Sequence, residues 1–214
     1  MISLGPVIRT TLSGSETKSM THYLRRHHDA ILVGSGTFAA DDPSLNCRYP
    51  DTTLEMQPRP ILLLSNDRLR QRLPTSKVQT LANEGKGLHP WIVGRDIALE
   101  SGSATWNENI VTIGSNESGR IQWSALFSAL QGKGIGSVMV EGGANVINSL
   151  LAEPEVVDSV IVTIAPTFLG RGGVQVAPEA KGERADGQRS AVASLRNVKW
   201  QQFGQDVVCC GRLS

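Results

Sequence analysis

The segment Val140-Glu141-Gly142-Gly143-Ala144-Asn145-Val146 sets a carboxylate and two glycines between an apolar run and a stretch with helical periodicity. Glycines let the main chain approach a ligand closely, and the unpaired N–H groups of a helix start attract phosphate. A pyrophosphate-bearing cofactor is one chemistry this turn suits; a tight turn with no ligand is the other. The spacing is not Gly-x-Gly-x-x-Gly, so the Rossmann fingerprint is absent. A second cluster, Thr37, Asp41, Asp42 and Arg48, follows the apolar run AILVG at 30–34. That run, as a buried strand, is expected to feed a loop dense in hydroxyl, carboxylate and guanidinium groups, which is where open α/β sheets bind ligands. The same residues also admit Asp42-Pro43 as a turn, Thr37 as a cap and Asp41 as a surface partner of Arg48.

The elements that must position these groups are legible in the apolar periodicity. Ser13-Gly14-Ser15-Glu16 reads as a capping box, with Met20, Tyr23, Leu24 and His27 on one helical face and the helix ending near Asp29. The runs at 30–34, 60–64 (PILLL), 91–93, 110–113 and 137–140 predict strands. Ser124 is expected to cap an apolar helix through Leu130, and Val146, Ile147, Leu150 and Leu151 mark another that Pro154 ends. Residues 156–165 form the longest strand candidate, and two runs flanking Gly204-Gln205 predict an antiparallel hairpin. Polar stretches at 83–87, 115–119 and 179–188 are expected to be surface loops. The sum is an α/β domain with a mostly parallel sheet, helices on both faces and a C-terminal antiparallel hairpin, one domain over residues 1–214.

Composition narrows the partners. With 21 Lys and Arg against 20 Asp and Glu the net charge is +1, so no global field draws nucleic acid or an anionic membrane, and an anion must be held locally. No apolar run approaches the roughly 20 residues of a membrane span, and the first residues lack a secretory layout, so a soluble cytoplasmic protein is expected. Three cysteines, two of them adjacent (Cys209 and Cys210), argue against a disulfide framework. His22, His27, His28 and His89 lack ligand spacing and read as surface or helix-packing residues, with no metal site. Asn116-Glu117-Ser118 matches a glycosylation acceptor by chance.

The stretches GSGTFAADDPSLNCR and VMVEGGANVINSLL, in that order, resemble the fungal and archaeal diaminoribosylaminopyrimidinone phosphate reductases and the reductase half of the bifunctional bacterial riboflavin enzymes. Gly-Pro-x-x-Arg-Thr-Thr from Gly5 and MTHYLR look specifically fungal. The resemblance implies a dihydrofolate-reductase-like fold, NADPH as cofactor, and reduction of the ribosylamino group of a phosphorylated pyrimidine to a ribitylamino group. It places Thr37 and Asp41 at the nicotinamide side, Gly142 to Ser149 (including Gly143, Ala144, Asn145 and Val146) around the phosphates, and Ser65 and Asn66 at the adenosine ribose. Arg25, Leu45, Arg48 and Glu141 match substrate-contacting positions, guanidinium being suited to phosphate oxygens. Arg25 is also open to a plainer role, complementing the C-terminal dipole of its helix. Glu141 is the candidate catalytic group, holding or protonating the substrate, and Arg68 or Arg70 the candidate cation at the 2′-phosphate. A homodimer is implied as well.

Two features differ from the wider family. The deaminase motifs His-x-Glu and Pro-Cys-x-x-Cys do not occur, so no deamination is expected. A family strand of pattern Val-Thr-Leu-x-x-Ala-x-Ser-Leu-Asp, expected upstream of Gly5, is not in this sequence. The alternative that follows is an inactive or truncated nucleotide-binding remnant, less stable and less active than a form with that strand.

Overall fold

Short runs of Val, Ile and Leu too brief for helices have to find neighbours on both faces, and a parallel sheet provides them. In the computed structural model, which describes residues 2–5, 10–64, 66–94, 109–113, 121–178 and 191–214, these runs are strands β1 (Ala30–Gly34), β2 (Arg59–Leu63), β3 (Trp91–Gly94), β4 (Ile110–Thr112) and β5 (Val138–Val140). They form one five-stranded sheet in the order β4-β3-β2-β1-β5, every pair parallel. All five residues of β1 are buried, as a strand with neighbours on both edges and cover on both faces must be.

The chain divides into two compact units, Thr21–Gly143 and a second made of Met1–Met20 with Ala144–Ser214. The first contains the parallel sheet. Its core packs Ile31, Val33, Phe38, Leu45, Leu62, Leu64, Leu73, Val78 and Ile92 together. The second holds a three-stranded antiparallel sheet, β6 (Val160–Ile164), β8 (Asp206–Leu213) and β7 (Leu195–Phe203), with β8 central. The hairpin expected around Gly204-Gln205 joins β7 to β8, with Phe203 opposite Asp206 and Gly204 at φ +60°. β6 is five residues long, shorter than expected, because Pro154–Val156 forms a 3₁₀ turn and pairing with β8 begins only at Val160.

Helices differ from expectation in four places. α1 (Ser15–Arg26) starts where the capping box predicts, but Thr17 is its buried residue and Tyr23 is 46% exposed. Its first turn is tied by Asp206, whose Oδ2 accepts the Gly14 N–H at 2.8 Å and the Thr17 hydroxyl at 2.6 Å. The segment after β1, read as a loop, is helix α2 (Ser35–Asp41). Thr-Phe-Ala-Ala can continue helically, Phe38 gains burial by doing so, and the helix stops at Asp42 (φ 41°), which precedes Pro43 and is barred from the right-handed region. Two helices in the 64–91 interval escaped the apolar periodicity, α3 (Asp67–Arg72) and α4 (Lys77–Asn83); the cap residues Asn66 and Ser76 were their signal. α5 (Trp123–Gly132) begins before Ser124, which lies in its first turn and does not cap it, and buries Trp123, Leu126 and Leu130 at helical spacing. α6 (Ala144–Leu151) is as expected. Among the described residues, no helix is long and apolar enough to cross a membrane. The expected loops at 115–119 and 179–188, Asn116 and Ser65 lie outside the described residues.

Candidate active site

The chain leaves β1 toward β2, β3 and β4 on one side, then returns to place β5 on the other side of β1. The strand order thus turns back at β1, with β2 on one side and β5 on the other, and such switch points are where open α/β sheets bind ligands. The residues singled out for chemistry follow the carboxyl ends of β1 and β5. The ladder continues past β5, with Glu141 N–H donating to Leu32 O at 3.0 Å and Gly34 N–H to Gly142 O at 2.7 Å. These bonds lock the Glu141-Gly142-Gly143 turn against the start of α2.

Gly142 is buried with φ +107°, a conformation that L side chains rarely adopt, and a cis peptide bond joins it to Gly143. A Cβ on Gly143 would stand 2.9 Å from the Thr37 hydroxyl, closer than real Cβ atoms come. Thr37 and Gly143, 106 positions apart, are thus in direct apposition, the first on α2 and the second after β5. Asp41 closes α2 one turn further on. Ala144, Asn145 and Val146, also expected around the phosphates, open α6; Asn145 is exposed and Val146 is buried.

Glu141 and Arg25 meet as a bidentate pair, Nε to Oε1 at 2.7 Å and Nη2 to Oε2 at 2.6 Å, with side chains only 21% and 12% exposed. Arg25 Nη1 also donates to the Asn46 carbonyl at 3.0 Å. The fork expected at a substrate phosphate is engaged with protein acceptors. Arg48 differs: it is exposed, its Nη1 donates to Asn46 Oδ1 at 2.9 Å, and among the described residues no carboxylate pairs with it. The pairing of Asp41 with Arg48 weighed from sequence is not among the ion pairs of the described residues; Asp42, not Asp41, takes part in one, accepting from Lys77.

Leu45 has φ +54° and is 1% exposed as a whole residue, packed in the core, so neither its side chain nor its main chain is open to a ligand in this structure. A left-handed branched residue costs on the order of 1 to 3 kcal/mol, held in place here by that burial. Asn66 caps α3 through Oδ1, which accepts the Leu69 N–H at 3.0 Å, and Arg70 pairs with Asp67 at 2.8 Å, while Arg68 is exposed. His27 and His28 bond through Nδ1 to carbonyls one turn back in α1, and His89 bonds Gln79. Two residues that the sequence left aside join the cluster. Asn46, 7% exposed, touches both arginines, and His22 contacts the Arg48 main chain. Asn46 lies between Leu45 and Arg48 in the motif and His22 one helical turn before Arg25, which was the available signal.

Known structures agree with this architecture. The chain is 38% identical to the solved Saccharomyces cerevisiae riboflavin biosynthesis reductase Rib7, covering 96% of this chain and 84% of that one at a TM-score of 0.74. It also shares the fold of Acinetobacter baumannii RibD, at 22% identity and TM-score 0.70 over 99% of this chain and 54% of that one. The fold is α/β with a dihydrofolate-reductase-like sheet, and relatives named as reductases at about 40% identity over nearly the whole chain make it an oxidoreductase. The family model described as the RibD C-terminal domain matches residues 7–209, and the chain belongs to that family. A relative named 2,5-diamino-6-ribosylamino-4(3H)-pyrimidinone 5′-phosphate reductase, from Eremothecium gossypii, is 43% identical over 96% of this chain and 80% of its own length. One of the same name from Saccharomyces cerevisiae is 40% identical over 100% and 82%.

Proposed function

We propose that this chain is a riboflavin-pathway reductase that uses NADPH to convert the ribosylamino side chain of 2,5-diamino-6-ribosylamino-4(3H)-pyrimidinone 5′-phosphate to the ribitylamino form. The observation that carries the reading is the apposition of Thr37 and Gly143 beyond the carboxyl ends of the neighbouring strands β1 and β5. A main chain stripped of side chains beside a hydroxyl, at the switch point of a parallel sheet, suits a dinucleotide. Names of relatives at about 40% identity over nearly the whole chain supply the substrate.

In this reading Thr37 and Asp41 hold the nicotinamide end, and Gly142, Gly143, Ala144, Asn145 and Val146 cradle the phosphates by main-chain groups. Ser65 and Asn66 flank the adenosine ribose, with Arg68, exposed and without an ion-pair partner among the described residues, the better candidate for the 2′-phosphate than Arg70. The bound cofactor would supply a hydride for C1 of the ribose, opened to an imine as its ring C–O bond breaks and the exocyclic N–H proton passes to the ring oxygen, and the imine nitrogen takes a proton from water as the hydride arrives. The protein supplies orientation, the term that turns an encounter into a reactive pair. Arg48 takes the substrate phosphate. Glu141 acts as an acceptor for substrate N–H or O–H groups near the reacting carbon. A proton delivered by Glu141 would need an oxygen that already accepts from Arg25, so Arg25 is better read as the residue that fixes Glu141 than as a phosphate ligand.

The protein acts in the cytoplasm on a small phosphorylated molecule, without nucleic acid or membrane partners. It works as a homodimer, for which Ile161, Val162 and Ile164 of β6, each 40% exposed or more, offer an apolar strand, and light scattering gives the stoichiometry. The test of the cofactor assignment is a titration with NADPH and NADH. Tighter NADPH binding supports it, and equal affinities reject it.

A further inference from the structure

Arg48 is exposed, yet it is held at two points. Its main-chain N–H donates to His22 Nδ1 at 3.1 Å, and its Nη1 donates to Asn46 Oδ1 at 2.9 Å. Asn46 is anchored in turn, its amide donating to Lys86 O at 3.1 Å and its carbonyl accepting from Arg25. His22 sits one helical turn before Arg25 on α1, and its own carbonyl accepts from Cys47 Sγ at 3.0 Å. A main-chain N–H can only donate, so Nδ1 has to be the unprotonated nitrogen and Nε2 carries the hydrogen.

We propose that His22 is a positioning residue for Arg48: through Nδ1 it fixes the main chain at that position while Asn46 fixes the guanidinium, so that the arginine meets a phosphate already oriented. Ordering a long side chain on binding costs free energy, and a site that has met this cost in advance binds more tightly. The surroundings keep the required lone pair free. Burial and the neighbouring Arg25 and Arg48 charges push the His22 imidazole down to about 4, against the opposite pull of Glu141. The bond therefore survives across the neutral range, where an ordinary histidine, near 6.5, would begin to lose it.

The proposal rests on the reading of Arg48 as the phosphate contact, and the experiment separates the two. Steady-state constants and thermal midpoints are measured for His22→Ala, His22→Asn, Arg48→Ala and the His22→Ala/Arg48→Ala pair. His22→Ala is expected to raise KM for the phosphorylated substrate roughly three- to tenfold, with kcat and the KM for NADPH little changed. His22→Asn, whose Oδ1 falls near the place of Nδ1, restores it. In the Arg48→Ala background the His22 substitution adds no further rise, because its effect runs through that arginine. An unchanged KM in His22→Ala beside a raised one in Arg48→Ala overturns the proposal alone, as do additive effects or an Asn variant no better than Ala. An unchanged KM in Arg48→Ala overturns the phosphate assignment and the proposal with it. Should His22→Ala fail to fold, His22→Gln, whose amide oxygen falls near Nε2, replaces it with the same expectations.

Discussion

A Cβ on Gly143 would fall 2.9 Å from the Thr37 hydroxyl, and that lack of room sets the sharpest expectation at the residue scale. A side chain at position 143 has to displace a hydroxyl that can rotate, so Gly143→Val is expected to weaken NADPH tenfold or more, at about 1.4 kcal/mol per factor of ten, while moving the thermal midpoint little. Unchanged affinity would remove the phosphate cradle from this turn. The two arginines are expected to part company. Arg48→Ala loses a charge-assisted contact of about 1.5 to 3 kcal/mol, raising KM for the phosphorylated substrate roughly tenfold or more and leaving the midpoint alone. Arg25→Ala strips Glu141 of its partner in a largely buried site, a change near the lower end of about 3 to 5 kcal/mol, so the midpoint falls and turnover with it. Equal midpoints for the two variants would contradict this division. The motifs around Gly143, Arg48 and Glu141 were legible in the sequence because each is local. The Arg25–Glu141 pair was not, since its members lie 116 positions apart and only the fold shows that the fork is taken.

At the scale of elements, α2 shows where local reading stops. Ser35-Gly36 resembles a turn, and two carboxylates and a proline follow at Asp41-Asp42-Pro43, so the segment reads as a loop; burial of Phe38 decides in favour of a helix. Phe38→Ala should accordingly cost about 3 to 5 kcal/mol, seen as a lower denaturant midpoint, whereas a loop residue would cost little. α3 and α4 went unread because their caps, Asn66 and Ser76, are short-range signals with little apolar periodicity behind them. The tie of Asp206 to the first turn of α1 could not be read either. Asp206, 189 residues beyond Thr17, stands at the first residue of β8. The Thr17 hydroxyl, and then the Gly14 N–H, hold its carboxyl below the usual carboxylate range. A depressed value means that this tie stabilises the fold above the unfolded carboxylate range and is lost as pH falls through the folded value. The midpoint difference between the natural chain and Asp206→Asn should therefore be full at neutral pH and shrink below about pH 4. A difference that grows on acidification would reverse the sign of the argument.

For the whole molecule, the order of the strands does what no single motif does. The run of apolar segments announced a parallel sheet, and the strand order turns back at β1, which has β2 on one side and β5 on the other; that topology makes the segments after β1 and β5 neighbours. The hairpin was also legible, because Gly204-Gln205 is a turn signal between two alternating runs, although the length of β6 was not, pairing with β8 being a tertiary matter. Family membership and this placement converge on one reaction. Its most direct test is to incubate the full chain with NADPH carrying deuterium at the transferred position of C4 and with the phosphorylated ribosylaminopyrimidinone, and to analyse the product by mass spectrometry. Stoichiometric NADPH oxidation, with one deuterium at C1 of a ribityl side chain, is the result expected. NADPH bound but not consumed, with the ribosylamino compound recovered unchanged, would contradict the account and leave a nucleotide-binding remnant in its place.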